Sequence, residues 1–176
     1  MSQCQDGATV GAVEGDHVDR VVQAWAQERP DVDASPIQVI GRVSRLSRQI
    51  DHRLKGVFHQ HELEAWEYDL LASLRRVGPP YELTAGQILE ALMITSGAVT
   101  NRIDRLEQRG LVERRPSTGD KRFVRVRLTP AGRAVMDAAL PDHLANEAAM
   151  LEPLSDAERR QLVRLLRTLQ SHLGET

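Results

Sequence analysis

The spacing of the apolar side chains changes at Leu111, and that change limits the folds open to this chain. Up to Gly110, the stretch TSGAVTNRIDRLEQRG repeats apolar residues every three or four positions, as an amphipathic helix does. From Leu111 onward, LVERR and RFVRVRL alternate with a period of two, and PSTGD between them is rich in turn-forming residues. The sequence therefore predicts a helix that leads directly into a two-stranded hairpin, called the wing below.

The predicted wing has an apolar face and a basic face. In its return strand, Val124, Val126 and Leu128 alternate with Arg125 and Arg127. Successive side chains of a strand point to opposite faces. We therefore expect the valines and the leucine to pack against helices and the two arginines to point outward.

Two short helices precede the wing and are joined by a tight corner. In LTAGQILEAL, Thr84 and Gln87 form a capping box, which marks the start of a helix that ends near Leu92. The corner MIT leads from it into TSGAVTNRIDRLEQRG, which shares Thr95 with the corner, begins with a Thr or Ser cap and ends at Gly110, a left-handed stop. So short a connection between two helices predicts a helix-turn-helix.

The rest of the chain is predicted to be helical. Apolar residues have helical spacing over HVDRVVQAWAQE, over about six turns after a Ser35 cap, and over HELEAWEYDLLASLRR. Thr129 and Pro130 begin a long helix to about Met150, and the capping box SDAE begins a last helix with a leucine stripe. The predicted fold is mainly α with a small β-hairpin wing, a winged helix-turn-helix flanked by N- and C-terminal dimerisation helices.

The charge of the chain is nearly balanced but unevenly distributed. There are 23 Lys and Arg residues against 25 Asp and Glu residues. Residues 1–35 nevertheless hold seven acids and two bases, whereas residues 95–127 hold nine bases and four acids. A local excess of positive charge on a helix and a hairpin is typical of a surface that binds a polyanion.

The second helix of the pair carries polar side chains on the face opposite its apolar stripe. Hydroxyl, amide and guanidinium groups there donate to base edges and phosphates in a major groove. These groups belong to Ser96, Thr100, Asn101 and Arg105, which we call the reading face. The same geometry places Asp104 on the outward side. The turn of the wing adds Asp120, Lys121 and Arg122, and we expect Arg122 to reach the adjacent minor groove of double-stranded DNA.

The stretch TSGAVTNRIDRLEQRGLVERRPSTGDKRFVRVRLTPAG resembles the winged-helix regulators of the MarR family. The G-L-V-x-R start of the first strand, the D-K-R tip and the L-T-x-x-G exit follow that family's pattern, and the resemblance covers nearly everything after residue 35. It implies a homodimer that binds a palindromic operator and usually represses transcription. It also implies that a small phenolic or anionic ligand releases the DNA.

The N-terminal helix and the segment WAQERPDVDASPIQVIGRVSRL are similar to a urate-responsive subgroup of that family. The resemblance implies a ligand site made of Trp25, Asp69, Arg102 and Arg114. Arg102 lies on the flank of the predicted reading face, where it could pair with Asp69. As alternatives, Trp25 is only a hydrophobic anchor for the extra helix, Asp69 and Arg102 form only a structural ion pair, and Arg114 contacts a phosphate. Citrate or aconitate would suit two arginines as well as urate does.

These features define the predicted segments and their location. The segments are a disordered leader (1–16), N-terminal helices (17–62), a winged helix-turn-helix DNA-binding domain (63–129) and C-terminal dimerisation helices (130–176). No run of about 18 apolar residues and no signal-peptide pattern occurs. We therefore expect a cytoplasmic protein with no membrane partner.

Three other functions compete with this interpretation. The chain lacks nucleophile-elbow, P-loop, dinucleotide-binding and zinc-deaminase motifs, so we expect neither catalysis nor a cofactor. His59 and His61, with Glu62 and Glu64, are a weak signal for a metal-responsive regulator, and His52 could add pH sensitivity. A ligand-independent architectural DNA binder would need no pocket.

Overall fold

The computed structural model describes residues 15–116 and 124–174, which form seven helices and three strands. The helices are α1 (His17–Glu28), α2 (Ile37–Gln60), α3 (Ala65–Arg76), α4 (Ala85–Leu92), α5 (Ser96–Gln108), α6 (Pro130–Met150) and α7 (Asp156–Leu173). The strands are β1 (Glu82–Thr84), β2 (Val112–Pro116) and β3 (Val124–Leu128). The predicted mainly helical fold with a winged helix-turn-helix is confirmed. Residues 1–14 of the predicted leader lie outside the described residues.

The chain divides into two compact units between Asp51 and His52, inside α2. In the first unit, the carboxylate of Asp16 caps α1. The guanidinium of Arg42 in α2 binds Asp16 at 3.0 Å and Asp19 at 2.8 Å, which ties α1 to the first half of α2.

The start of α2 differs from the prediction in one detail. The sequence predicts that Ser35 caps the helix, but its hydroxyl donates to the carboxylate of Asp33 at 2.9 Å. The backbone N–H of Ser35 donates to the same carboxylate, also at 2.9 Å. Asp33 therefore organises the turn before α2, which a Ser-Pro pair alone does not reveal.

The core of the second unit lies between the helix-turn-helix, the sheet, α3 and α6. Apolar residues at helical spacing in α3 and α5, and at alternate positions in β3, supply its side chains, as the two periodicities predicted. The buried residues include Leu70, Leu71, Leu74, Ile88, Val99, Ile103, Leu106, Val126, Leu128 and Met136. Val124, predicted to share the buried face of β3, is 45% exposed because it lies at the outer end of the strand.

The wing is part of a three-stranded antiparallel sheet in the order β1-β3-β2. The sequence predicted only a hairpin, because the three residues of β1 are too short to show a periodicity. Leu83 of β1 lies opposite Val126, and Val112 of β2 lies opposite Leu128, so the strands share one apolar face. β1 covers an edge of β3 that a hairpin would leave unpaired.

Gly132 explains the L-T-x-x-G exit from the wing. The Thr129 hydroxyl accepts from the Gly132 N–H at 3.0 Å and donates to the Gly110 carbonyl at 2.7 Å, so it caps α6 and binds the end of the preceding helix at once. A Cβ atom on Gly132 would stand 2.0 Å from the Leu111 carbonyl oxygen. Only glycine permits this close approach of α6 to the α5–β2 junction.

The C-terminal helix keeps its predicted cap and its leucine stripe. Ser155 and Glu158 form the capping box of α7. The stripe is exposed in the single chain and consists of Leu162, Leu165, Leu166, Leu169 and Leu173. Among the described residues, no helix is both long enough and apolar enough to cross a membrane.

Candidate nucleic-acid interface

The reading helix α5 separates an apolar side from a polar side. Val99, Ile103 and Leu106 are buried. The four residues of the reading face, Ser96, Thr100, Asn101 and Arg105, are all exposed. Thr95 is the N-cap residue, but its side chain makes no capping hydrogen bond, so the first-turn N–H groups are not satisfied by it. A polar face at a helix N-terminus with free donors suits a phosphate or a base edge.

The corner between α4 and α5 depends on one unusual backbone conformation. Met93 ends α4 in the left-handed region at φ 50°, and its side chain is 80% exposed. The Thr84 and Gln87 capping box at the other end of α4 is present as predicted. These two features set the length and the exit direction of α4, and only three residues separate its last residue from the start of α5.

The predicted residues of the wing tip, Asp120, Lys121 and Arg122, lie outside the described residues. The strands that lead to the tip are described, and their outer face is less basic than the sequence indicated. Glu82 and Glu113 lie opposite Arg127 on the two sides of β3. Arg125 binds Glu82 at 3.5 Å, and Arg115 binds Glu113 at 2.9 Å. Acids from the neighbouring strands thus offset part of the positive charge.

Arg114 points to the opposite face of the sheet, toward α5. Its guanidinium binds the carboxylates of Asp104 and Glu107, and its backbone N–H donates to Glu107 at 3.0 Å. The hydrogen bonds to these acids help to raise the pKa of Arg114 above its usual range, against the effect of partial burial. Asp104 was predicted to point outward with the reading face, but the structure ties it to β2. The salt bridge between Asp104 and Arg114 depends on how the wing strands align with α5, which helical geometry alone does not predict.

Asp69 and Arg102 are electrostatic neighbours, although no direct hydrogen bond joins them. Asp69 is solvent-exposed, but the protein around its carboxyl partly desolvates this group and raises its pKa above its usual value. The positive charge of Arg102 opposes this shift, with smaller contributions from His143 and Arg76. Burial disfavours the charged form of Asp69, and a nearby cation favours it, so the two effects oppose each other at this carboxyl.

Trp66 in α3 is a residue that the sequence did not single out, yet it lies under the same helix. The guanidinium carbon of Arg105 is 4.7 Å from the centre of the Trp66 ring, and that of Arg102 is 5.6 Å away. Both distances are within the range of a cation–π interaction. The only signal in the sequence was an aromatic residue on the helix before the helix-turn-helix, which is equally typical of a core position.

A buried acid in α3 holds the far end of α5. Glu67 is 3% exposed, and its carboxylate accepts from the Arg109 guanidinium at 2.7 Å and from the Glu64 N–H at 2.9 Å. Arg109 also donates to the Glu62 carbonyl at 2.9 Å. This network joins the C-terminus of the reading helix to the start of α3, so the two helices keep a fixed spacing.

Trp25 belongs to the first unit. It lies on α1, is 47% exposed, and lines a small apolar pocket with Val32, Pro36 and Ile37. Arg29 at the rim of this pocket binds Asp31 at 2.7 Å. The indole is therefore accessible, as a ligand-binding residue would have to be.

The histidines near the end of α2 have different surroundings. His61 contacts Asp142 at 2.9 Å, and His52 and His59 are exposed. Within the described ranges, no group of three or more His, Cys, Asp or Glu side chains has the arrangement of a metal site. His143 stacks on Phe58 and lies at a tilt against Tyr68, and burial raises the pKa of Tyr68 to about 12.

A helix-turn-helix whose second helix exposes a polar face and leads into a three-stranded wing sheet defines a winged-helix DNA-binding protein. A profile of the MarR family matches residues 61–122. The transcriptional regulator PecS of Dickeya dadantii (strain 3937) is 44% identical over 156 residues, which are 89% of this chain and 94% of PecS. The chain belongs to the MarR family of transcriptional regulators.

Solved structures agree with this assignment. AbsC, a MarR family regulator from Streptomyces coelicolor, superposes with a TM-score of 0.72 at 22% identity, over 80% of this chain and 96% of AbsC, which shows the shared fold. BpsR of Bordetella bronchiseptica, whose DNA binding is regulated by 6-hydroxynicotinic acid, superposes with a TM-score of 0.59 at 29% identity. That likeness covers 73% of this chain and 98% of BpsR.

Proposed function

We propose that this protein is a homodimeric repressor that binds a palindromic operator in the cytoplasm and releases it when a small anionic metabolite binds. The observation that carries the proposal is the reading face: four polar side chains of α5 are exposed together, while the opposite side of the helix is buried. Ser96, Thr100, Asn101 and Arg105 would enter a major groove, and Arg122 would enter the adjacent minor groove. A two-fold dimer would place two such helices in half-sites about one helical turn apart.

The leucine stripe of α7 supports the homodimer. Five leucines at helical spacing are exposed in the single chain, and a helix with so large an apolar face normally packs against another element. A second copy of the chain would cover this face, since two-fold dimers use the same surface on both subunits.

Asp69 and Arg102 support the release of DNA by an anion. An anion that reached Arg102 would compete with Asp69 for the guanidinium and would pull on α5, the helix that reads DNA. Trp25 and Arg114 complete the proposed ligand site. Urate is the first candidate, and citrate and aconitate are the alternatives, because two guanidiniums suit each of these anions. The regulation of BpsR by an aromatic carboxylic acid supports this class of effector.

An electrophoretic mobility shift tests both parts of the proposal. The purified protein is titrated onto the DNA immediately upstream of its own gene, and the complex is then titrated with urate, citrate or aconitate. Specific binding that urate releases supports the urate site, and release only by the tricarboxylates changes the effector but keeps the site. Binding that no anion releases, with little sequence preference, would indicate an architectural DNA-binding protein instead.

Two variants test whether Arg122 contacts DNA and whether Asp69 belongs to the effector site. Arg122→Ala should weaken operator binding and flatten the salt dependence by about one unit per subunit, because each subunit of the dimer loses one contact to the phosphate region. Arg160→Ala, on the exposed surface of α7, is the matched control and should leave both quantities unchanged. Asp69→Ala should keep operator binding and lose the response to the effector, whereas equal loss of both would remove Asp69 from the ligand site.

A further inference from the structure

Two guanidiniums of the reading helix share a single aromatic ring. Arg102 and Arg105 are three residues apart on α5, so they are neighbours on one face of the helix. Both lie within 6 Å of the centre of the Trp66 ring, at 5.6 Å and 4.7 Å. The ring itself is partly buried and packed against the core of the second unit. Trp66 is therefore a fixed surface on which two flexible side chains rest.

The two arginines differ in what surrounds them. Arg102 is half-buried and lies in the electrostatic field of Asp69, whereas Arg105 is exposed on the reading face. In the part of the chain that the structure describes, neither guanidinium takes part in a salt bridge. Among the described residues, the Trp66 ring is thus the group against which the Arg105 guanidinium rests.

We propose that Trp66 is a positioning residue for DNA recognition, and that it acts by holding the guanidinium of Arg105 in the orientation that contacts DNA. An exposed arginine has many rotamers, and ordering them opposes binding. A guanidinium that already rests on an indole has fewer orientations to lose. Its N–H donors remain free, because the ring attracts the charge and uses none of the in-plane donors. This inference rests on the proposed function, in which Arg105 belongs to the reading face.

The test is a double-mutant cycle on the full-length protein. The dissociation constant for the DNA upstream of its own gene is measured for the wild type, Trp66→Leu, Arg105→Gln and the double variant. Ordering one free, rotamer-rich side chain on binding weakens affinity by a factor of roughly two to twelve, so the two copies of Arg105 in a dimer predict that Trp66→Leu weakens binding about tenfold or more. Arg105→Gln should weaken binding at least as much, and the double variant should bind no more weakly than Arg105→Gln alone.

Tyr81 provides a matched control outside the reading helix. Two guanidiniums also lie near its ring centre, those of Arg75 at 5.0 Å and Arg133 at 5.1 Å. Tyr81→Leu therefore removes a comparable pair of contacts without touching Arg105. It should change the dissociation constant by less than about twofold, since its arginines are not on α5.

The outcomes separate this inference from the proposed function. If the wild type binds no DNA specifically, the proposed function fails. If it binds specifically but Trp66→Leu has the same effect with or without Arg105, Trp66 serves stability alone and only this inference is overturned. An Arg105→Gln variant with unchanged affinity also overturns it. Should Trp66→Leu fail to fold by circular dichroism, Trp66→Phe replaces it in the cycle, with a loss of about threefold expected because the Phe ring attracts cations less strongly.

Discussion

Toward α3, the reading helix contributes guanidinium groups, whereas toward β2 it contributes carboxylates. On the first side, Arg102 and Arg105 rest on the ring of Trp66. On the second side, Asp104 and Glu107 both bind the guanidinium of Arg114. The same helix is thus held by contacts of opposite polarity on its two flanks.

The difference has a chemical consequence for DNA binding. Salt bridges to Asp104 and Glu107 use one donor on each terminal nitrogen of Arg114, so an anion would reach this guanidinium by displacing one of the two carboxylates. Contacts with an indole leave the donors of Arg105 available and keep its charge unpaired. Among the described residues, the charges on the β2 side of the reading helix are therefore paired with one another, while those on the α3 side contact an aromatic ring.

The largest expected effect comes from disrupting the close approach of Gly132 in α6 to the α5–β2 junction. Gly132→Ala would place a Cβ atom 2.0 Å from the Leu111 carbonyl oxygen, so the α5–β2 junction must move. We expect a loss of about 3 kcal/mol or more in the free energy of unfolding, measured by urea denaturation. Gly97→Ala is the control, since its Cβ would meet nothing within 4 Å. Equal stability of Gly132→Ala and the wild type would contradict the close approach.

Next in size is the loss of the buried acid on the α3 side. Glu67→Ala leaves Arg109 without its carboxylate and the Glu64 N–H without its acceptor. Breaking a fully buried pair costs about 3–5 kcal/mol, and we expect about 2 kcal/mol because the Arg109 side chain is 37% exposed. Thermal unfolding measures the effect. The exposed pair of Glu113 and Arg115 is the control, and Glu113→Ala should cost less than about 0.5 kcal/mol.

Removal of Arg114 tests whether its only role is to bind Asp104 and Glu107 and so join β2 to the reading helix. Arg114→Ala leaves Asp104 and Glu107 unneutralised beside the bound DNA, so operator affinity should fall by roughly tenfold at low salt and less at high salt. In an Asp104→Asn, Glu107→Gln background, the same substitution should have little effect. If the loss persists in that background, Arg114 itself contacts DNA.

The smallest expected effect is a pH dependence on the α3 side. Because burial raises the pKa of Asp69 in the folded protein, its ionised form is the less favourable one there. Wild-type stability should therefore fall as the pH rises from below the ordinary value of 3.8 through the raised pKa. Asp69→Asn has no carboxyl to ionise and so does not lose stability in this way. In urea denaturation, its free energy of unfolding should exceed that of the wild type by more at neutral pH than in acid. A stability difference that does not vary with pH would show that burial of the charge is not its cause.

Local patterns in the sequence were sufficient for most of the fold. Capping boxes at Thr84 and Ser155 and the change of period at Leu111 correctly predicted where helices and strands begin. These signals succeed because they involve residues within one or two turns of each other. Strand β1 was missed, since three residues acquire their conformation from pairing with β3 and not from any pattern of their own.

At the reading face too, local sequence patterns predicted some features, and others depend on tertiary contacts. Helical geometry alone placed Ser96, Thr100, Asn101 and Arg105 on the polar side of α5, and the structure exposes all four. It could not predict that Asp104 turns to β2 or that Trp66 lies beneath Arg105. Those contacts join residues that are far apart in the chain, so they exist only once packing of the core has brought α3 and the wing against α5. The sequence by itself determined which elements form and which face of the reading helix is polar. Tertiary packing decided which of its charges are paired and which remain available to DNA.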